Sequence, residues 1–574
     1  MFYFAYMLFQ KYFALLGLSL SAILAEAQTA TYPKDFRNPL DIPIMLAGNF
    51  GECRPNHFHS GIDIKTNGQE NMAVYSVADG YIARIKMERG GFGHALYIAH
   101  PNGYTTLYAH LNDFMPDVQK FVRKEQYKKE NWEVDLALQP NQFPVKKGQQ
   151  IARSGHTGSS TAPHLHFEIR DSKTEHPLNP QLFGFDIKDT IAPIPTELAV
   201  YEMTNKTIYE QTPRLLKLQK AGDEYTLDTV RVDKQEIGLG LVVNDFMNGS
   251  SNTLNFYTAT LYMNETQFIH IRLDDIGYDL TRYLHAFADY KTKQQSNKWV
   301  QCLFQLDGNQ LNNIYRYTSD YRSFTQRGQL EFGNSIPKRV RIELEDAAGN
   351  KTRIAFWMIY TSSEDTATHC PGDRQFSVRQ ENQYSNKHIA FTLPETALYE
   401  RLCLEYRRAS HANGYSDRHT IHQPYVPVHN YFDLRIKPDK MPLEKDKIVM
   451  MHSDGKSESG KAAKLENGYF KASVRNFGEF WLVTDTEAPE ITTSLKSGAN
   501  LASAKRITFT AKDDVTSVKK FRAELDGKWL LFEQNGNNYF YEFDEHCPKG
   551  KHNLVVTATD ENNNSKTLKY SFTR

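Results

Sequence analysis

Over most of this 574-residue chain, apolar and polar positions alternate with a period of two rather than recurring every third or fourth residue. The stretch HLHFEIR, 164–170, shows the pattern at its clearest. Read as a strand, it puts His164 and His166 on one face and Leu165 and Phe167 on the other. ALYIAHPNGYTTLYAHL, 95–111, reads as a hairpin, because Asn102-Gly103 readily takes the positive φ angles of a tight turn. FHSGIDI (58–64), VYSVADGYIARIK (74–86) and VKKGQQIARSG (145–155) add short strands broken by glycine. Together they predict a compact antiparallel β domain between residues 28 and 188. Only DVQKFVRKEQYKKEN, inside 113–147, has a helical texture, and WEVDLAL after it alternates like an edge strand. That insertion exceeds an ordinary turn by about thirty residues. Two readings of it stand: its helix packs Phe121 and Val122 on the domain, turns its lysines outward and walls one end of a cleft, or the insertion is a solvated elaboration on the far side of the hairpin.

Downstream, two phrases recur. DTIAPI at 189–194 resembles DTEAPEI at 485–491, and each is followed much later by an alternating run ending in a polar turn, VRIELEDAAGNKT (340–352) and LVVTATDENNNSKT (554–567). The pairs bracket two β modules, 189–360 and 485–574. The first carries an insertion around YDLTRYLHAFADY, and the second has the length of one immunoglobulin-like sandwich. Their opening and closing phrases look like those of bacterial Ig-like repeats. Residues 361–484 alternate as well (GYFKASV, GEFWLVT) but carry no nameable motif. The expected fold class is mainly β: an antiparallel β-sheet domain followed by three β-sandwich-like modules, read as spacers or docking regions.

Composition adds limits. Lys plus Arg and Asp plus Glu both number 68, so no charge excess points to nucleic acid or an anionic membrane. A mean hydropathy of −0.59 excludes a polytopic membrane protein. Lys11, the apolar run Phe13 to Leu24 and the small residues of Ala25-Glu26-Ala27 read as a secretory signal over 1–27, with the mature chain beginning near Gln28. The expected location is therefore outside the cytoplasm, in a bacterial periplasm or envelope or beyond it, with no transmembrane segment after cleavage. Five cysteines (53, 302, 370, 403 and 547) are too few for a disulfide scaffold.

The candidate chemistry lies in the first domain. His59 and Asp63 are four apart in FHSGIDI, about 13 Å along a straight strand, too far to share an ion. A bend at Ser60-Gly61 would bring them together with a nitrogen from HLH around one tetrahedral Zn²⁺. Three protein ligands and an open fourth position are the mark of a catalytic zinc site. His110, at the end of the second hairpin strand, offers another imidazole beside it.

Each of these pieces is commonplace alone. FHSGIDI, YAHL and SGHTGSSTAPHLHFEIR in this order and spacing resemble the lysostaphin-type (LytM-like) zinc endopeptidases, over roughly residues 45–180. The resemblance implies that His59, Asp63 and His166 hold one Zn²⁺ and that His110 and His164 flank the reacting water as catalytic groups. It also implies cleavage of peptide bonds in peptidoglycan stem peptides or cross-links. Where the family has a tyrosine six residues before the first ligand, this chain has Cys53; Arg54 beside it reads either as a substitute for that tyrosine or, in the preferred reading, as a surface arginine, and His94 and His156 read as polar loop groups. Two other classes compete: a non-catalytic relative that activates a cell-wall amidase, and a β-domain scaffold or adhesin. Relatives of the first kind lose ligand or catalytic histidines, whereas all five positions are intact here. The C-terminal modules leave room for a cell-envelope protein as partner; nothing predicts a nucleic-acid partner.

Overall fold

The computed structural model describes residues 32–317, 327–361, 370 and 374–574; the signal expected at 1–27 lies outside them. Strand accounts for 46% of the chain and helix for 7%, so the mainly β class holds. No helix among the described residues is long and apolar enough to cross a membrane.

The first domain is built on one antiparallel sheet. Its main path runs Leu46–Gly48, Ile62–Lys65, His164–Asp171, Tyr104–Ala109, His94–Ala99, Gly80–Met87 and Val134–Ala137. The hairpin is where alternation placed it, with Leu96 opposite Tyr108 and Gly103 at φ 86° in the turn. A small second sheet orders Ala73–Tyr75, Gln150–Ser154 and Leu111–Phe114. Ile62, Ile64, Leu165, Phe167 and Ile169 enter the core between them, fully buried, which is the energetic reason the register holds. A slip of one residue would expose all five.

His94 departs from expectation. It opens the strand His94–Ala99 and is 5% exposed, not a polar loop group. Its ring lies against Phe114 and Trp132, its Nδ1 faces the Asn112 carbonyl at 3.1 Å, and burial pushes the imidazole down to about 4. His156 does sit in a loop, beside Glu70 at 2.8 Å.

The insertion forms the helix Pro116–Lys129 and the edge strand Val134–Ala137. Proline at the first turn pre-sets the helical φ. Val118, Val122 and Gln126, four apart, are the buried face, while Phe121 is only partly buried and packs on Phe143. The outer side is not left to solvent. Tyr127 stacks on His546 with ring centroids 3.8 Å apart, Arg123 pairs with Asp544 at 2.7 Å, and Glu130 pairs with Arg522 at 2.8 Å. The helix thus clasps the last module, and among the described residues no hydrogen bond or ion pair joins it to the site below.

Beyond residue 189 the sheets come in pairs. Residues 194–360 form one sheet around Ile194–Glu202 and Glu236–Asn244 and another around Thr258–Met263, Lys338–Glu345 and Lys351–Tyr360. Residues 382–484 form two five-stranded sheets, and 490–573 a four-stranded and a five-stranded sheet enclosing their own core. Cys370 and Cys403 are disulfide-bonded.

The first domain interlocks with its neighbours. Phe50, Cys53 and Phe58 lie in the core of the following module, with Phe58 edge-on to Phe287 at 5.3 Å. In return Met247, Leu254 and Leu531 join the core of the first domain. These modules are packing partners and not tethered spacers.

Candidate metal centre

Sheet register and one bend assemble the site. His166 pairs with Asp63 on one side and with Ala109 on the other, so the strand carrying HLH lies between the two segments that supply its partners. The chain turns sharply at Gly61, where a Cβ would come within 2.3 Å of the Phe167 carbonyl oxygen. Glycine is required there by close approach, and the turn returns His59 to Asp63. His110 follows the last residue of its strand at φ 60°, a left-handed conformation that swings its ring toward His164. The ring centroids of these two histidines are 4.7 Å apart.

Three donor atoms converge. His59 Nε2 and His166 Nδ1 lie 3.0 and 2.9 Å from Asp63 Oδ1 and 3.1 Å from each other. Donors bound tetrahedrally at 2.0–2.1 Å to one ion stand about 3.3 Å apart, close to this spacing. The tautomers follow from the outer nitrogens. His59 Nδ1 faces the Asn49 carbonyl at 2.8 Å and must donate to it, and His166 Nε2 donates to the Glu168 carboxylate at 3.0 Å. Once they give up the shared proton in favour of a metal, rings so oriented turn two lone pairs and a carboxylate oxygen on one point. Such a donor set fits a zinc ion.

The electrostatics agree. Burial disfavours a charged His166, yet the Asp63 and Glu168 carboxylates outweigh it and push the imidazolium up to about 9. Burial would likewise raise Asp63, but the neighbouring histidines hold its acid well below the usual range. The pocket is therefore poised for positive charge. His110 differs: burial, then His166 and His164, push it down to about 3, so it stays neutral.

The flanking pair is oriented by carbonyls. His110 Nδ1 donates to the Thr157 carbonyl at 2.8 Å, and His164 Nδ1 to the Ala162 carbonyl at 2.8 Å. Both rings thereby turn Nε2 toward the metal site; Nε2 of neutral His110 keeps a free lone pair, and Nε2 of His164 is 3.4 Å from Asp63 Oδ1. All five residues singled out in the sequence are brought together.

Several participants were not. Glu168 is fully buried and accepts from His166, from Ser60 Oγ at 2.6 Å, from Tyr278 Oη at 2.5 Å and from Arg170 Nε at 2.7 Å. Burial alone would raise its acid, but Arg170 and these donors hold it at about 2. Its position was legible, since 164, 166 and 168 share one strand face. Tyr278, from the neighbouring module, had no such signal. Arg54 is not merely a surface arginine: its guanidinium donates to Asp63 Oδ2 at 3.2 Å and to Glu52 at 2.9 Å. Cys53 is buried in the next module's core and does not stand in for a tyrosine at the site.

Residues 57–127 and 135–180 match the family described as Peptidase family M23, and the gap between them falls at the end of the inserted helix. The N-terminal region is an M23 peptidase domain. The segment left unnamed by its sequence matches the Zu5-like domain over 373–485. Over 122 residues the chain is 35% identical to the DD-carboxypeptidase/endopeptidase Mpg of Neisseria meningitidis serogroup B, covering 21% of this chain and 22% of that protein. Over 121 residues it is 35% identical to the murein hydrolase activator NlpD of Escherichia coli, covering 21% and 25%. A zinc containing peptidase from Vibrio cholerae is 25% identical with a TM-score of 0.20, covering 27% of this chain and 41% of that one. The chain therefore spans a quarter or less of these two curated relatives' length. By name, one is an enzyme and the other an activator.

Proposed function

We propose that the M23 domain is a working zinc endopeptidase that hydrolyses peptide bonds in peptidoglycan stem peptides or cross-links, acting outside the cytoplasm after loss of residues 1–27. The observation carrying this reading is the complete set: three convergent donors with two oriented, unligated imidazoles beside them. His59, Asp63 and His166 would hold one Zn²⁺, which supplies Lewis acidity toward the scissile carbonyl and activates water near neutral pH. His110 and His164 each present Nε2 to the reacting groups. One takes the proton from the attacking water and the other steadies the developing oxyanion or returns a proton to the leaving amine. Their Nδ1 bonds to carbonyls fix the tautomer a base needs, with Nε2 open to a proton; a ring steadies the oxyanion or serves the leaving amine from Nε2 once it carries a proton there. Glu168 holds His166 in orientation and raises its basicity as a ligand.

The second reading, an amidase activator, is favoured by the likeness to NlpD. The β modules from 189 on, Ig-like at either end, would then present the domain to a partner in the envelope. One experiment divides the readings. Mature protein is incubated with purified sacculi and the released fragments are identified by mass spectrometry. Peptide cleavage that stops with chelator and returns with Zn²⁺ is expected. Release of no peptide by zinc-loaded protein, with stimulation of an added amidase, would favour the activator.

A further inference from the structure

Two clusters of carboxylates repeat one arrangement in modules far apart in the chain. In the first, Asp189 comes from DTIAPI, Asp245 from the end of the strand Glu236–Asn244 and Asp346 from the turn after Lys338–Glu345. In the second, Asp485 comes from DTEAPEI, Asp513 follows Arg506–Lys512 and Asp560 ends Lys551–Asp560. Within each trio, one carboxylate oxygen from every residue lies within 4.8 Å of the others. The supports repeat too. Asp346 accepts from the amide side chain of Asn350 at 2.7 Å, and Asp560 from that of Asn564 at 2.7 Å. Those same asparagines reach the carbonyls of Asp189 at 3.3 Å and Asp485 at 3.0 Å.

Such trios repel themselves unless a positive charge joins them. Among the described residues, none of the six aspartates is in an ion pair with lysine, arginine or histidine. The deciding observation is a buried oxygen without a donor, at the corresponding corner of both trios. Asp245 is 2% exposed and Asp513 9% exposed, and Oδ1 of each accepts no hydrogen bond. An orphaned buried carboxylate oxygen costs too much to recur by accident in two modules.

We propose that each trio is a binding site for Ca²⁺, held by Asp189, Asp245 and Asp346 in one module and by Asp485, Asp513 and Asp560 in the other. All the ligands are oxygens, which suits a hard cation and disfavours zinc. Calcium also takes six to eight oxygens in loose geometry, so carbonyls and waters complete its shell, whereas Mg²⁺ demands a near-ideal octahedron. Without a cation, burial and then the neighbouring carboxylates push the Asp245 acid up to about 8 and that of Asp485 to about 6.

The sites bear on the M23 domain through the loops they anchor. Asp245 opens the loop whose Met247 lies in the M23 core and whose Asn255 exchanges two 2.8 Å hydrogen bonds with Asn49. Asn49 is the residue whose carbonyl orients His59. Asp513 opens the turn leading to Val518, whose carbonyl accepts from Arg89 of the M23 domain at 3.2 Å. Calcium would hold both modules against the peptidase.

The test is calcium binding by the whole mature, zinc-loaded chain, dialysed free of calcium and titrated with Ca²⁺ in a calorimeter. Two ions per chain are expected, with Kd on the order of 10⁻⁴ to 10⁻³ M as in extracellular modules. Asp245→Asn should abolish one site and Asp513→Asn the other, each leaving a stoichiometry of one. Asp189→Asn and Asp485→Asn serve the same purpose if either first variant does not fold, as judged by circular dichroism. A folded wild type that takes up no calcium at millimolar concentration overturns the proposal. So does a stoichiometry of two that survives all the substitutions.

Discussion

The two walls of the metal centre are built by different means. Asp63, His164 and His166 stand on neighbouring strands of one sheet, where register alone sets their spacing. The opposite wall is borrowed. His59 follows a loop, 49–58, whose Phe50, Cys53 and Phe58 are buried in the adjoining module, and its orienting carbonyl belongs to Asn49, itself bonded to Asn255. Tyr278 of the same module donates to Glu168 behind His166. A strand wall is specified locally and fails all at once when a ligand goes. A braced wall depends on remote contacts and should loosen by degrees.

Removing a ligand from either wall should have the largest effect. His59→Ala, Asp63→Ala and His166→Ala are expected to lose bound zinc and all measurable peptide cleavage, because two ligands rarely suffice to hold the ion. Metal content by mass spectrometry, together with hydrolysis of a cell-wall tetrapeptide, checks this. Full activity in a metal-free Asp63→Ala protein would remove the basis for the ligand assignment.

Next in size are the unligated imidazoles. His110→Ala and His164→Ala should keep zinc and lose a factor of about 100 to 10,000 in turnover, the range of a positioned acid or base. A metal-free variant of either would make that residue a ligand and redraw the site.

How much was legible follows the same division. The strand wall could be read because alternation fixes faces: once HLH is a strand, His164 and His166 must point together, and Glu168 with them. The bend at Ser60-Gly61 was inferable too, since two ligands four apart on a straight strand cannot meet. The braced wall left no local trace. Nothing in NFGECRPNHF says that Phe50, Cys53 and Phe58 pack into a core more than a hundred residues away. Nor does YDLTRYLHAFADY announce that Tyr278 will meet Glu168. The same reason explains the helix 116–129: its apolar side was anticipated in kind, but Tyr127 and Arg123 answer to residues beyond 520. Long-range docking has no period for a sequence to display.

The support behind His166 should give an intermediate effect that separates the walls. Glu168→Gln removes the charge that orients the ligand and should weaken zinc binding about 10- to 100-fold. It also leaves Arg170 buried without its partner, so a loss of about 3–5 kcal/mol in stability is expected. Tyr278→Phe removes one donor from the same carboxylate and one acceptor, 2.9 Å away, from Arg170 Nη2, but leaves the Arg170–Glu168 pair in place. Its zinc affinity should fall less than that of Glu168→Gln, by under about tenfold, since a hydrogen bond to a charged group contributes about 1.5–3 kcal/mol and only part of that reaches the metal. Competition with a zinc chelator measures both, and equal affinities for Tyr278→Phe and wild type would show that the module braces the fold without touching the metal.

The most local effect tests the brace through pH. His285 is 1% exposed at the junction, with Nε2 2.9 Å from the Pro55 carbonyl of the loop that leads to His59. Burial pushes its imidazole down to about 3, and the facing groups Arg282, Arg475 and His429 add to the cost of a charge there. The folded state thus resists a proton that the opened state, with a histidine near 6.5, accepts. Stability from this residue is full above about pH 6.5 and declines as pH falls toward 3. At pH 5 the loss amounts to about 2 kcal/mol, from one and a half units at 1.36 kcal/mol each. Native-state hydrogen exchange at the amides of residues 56–59 in zinc-loaded protein gives the local opening free energy at pH 7 and pH 5. His285→Gln keeps a donor for the Pro55 carbonyl but cannot titrate in this range, so its opening free energy should fall by about 2 kcal/mol less than that of wild type over the same interval. If both proteins lose protection in parallel, the acid sensitivity of the borrowed wall lies elsewhere, and His285 only fills space beneath the loop.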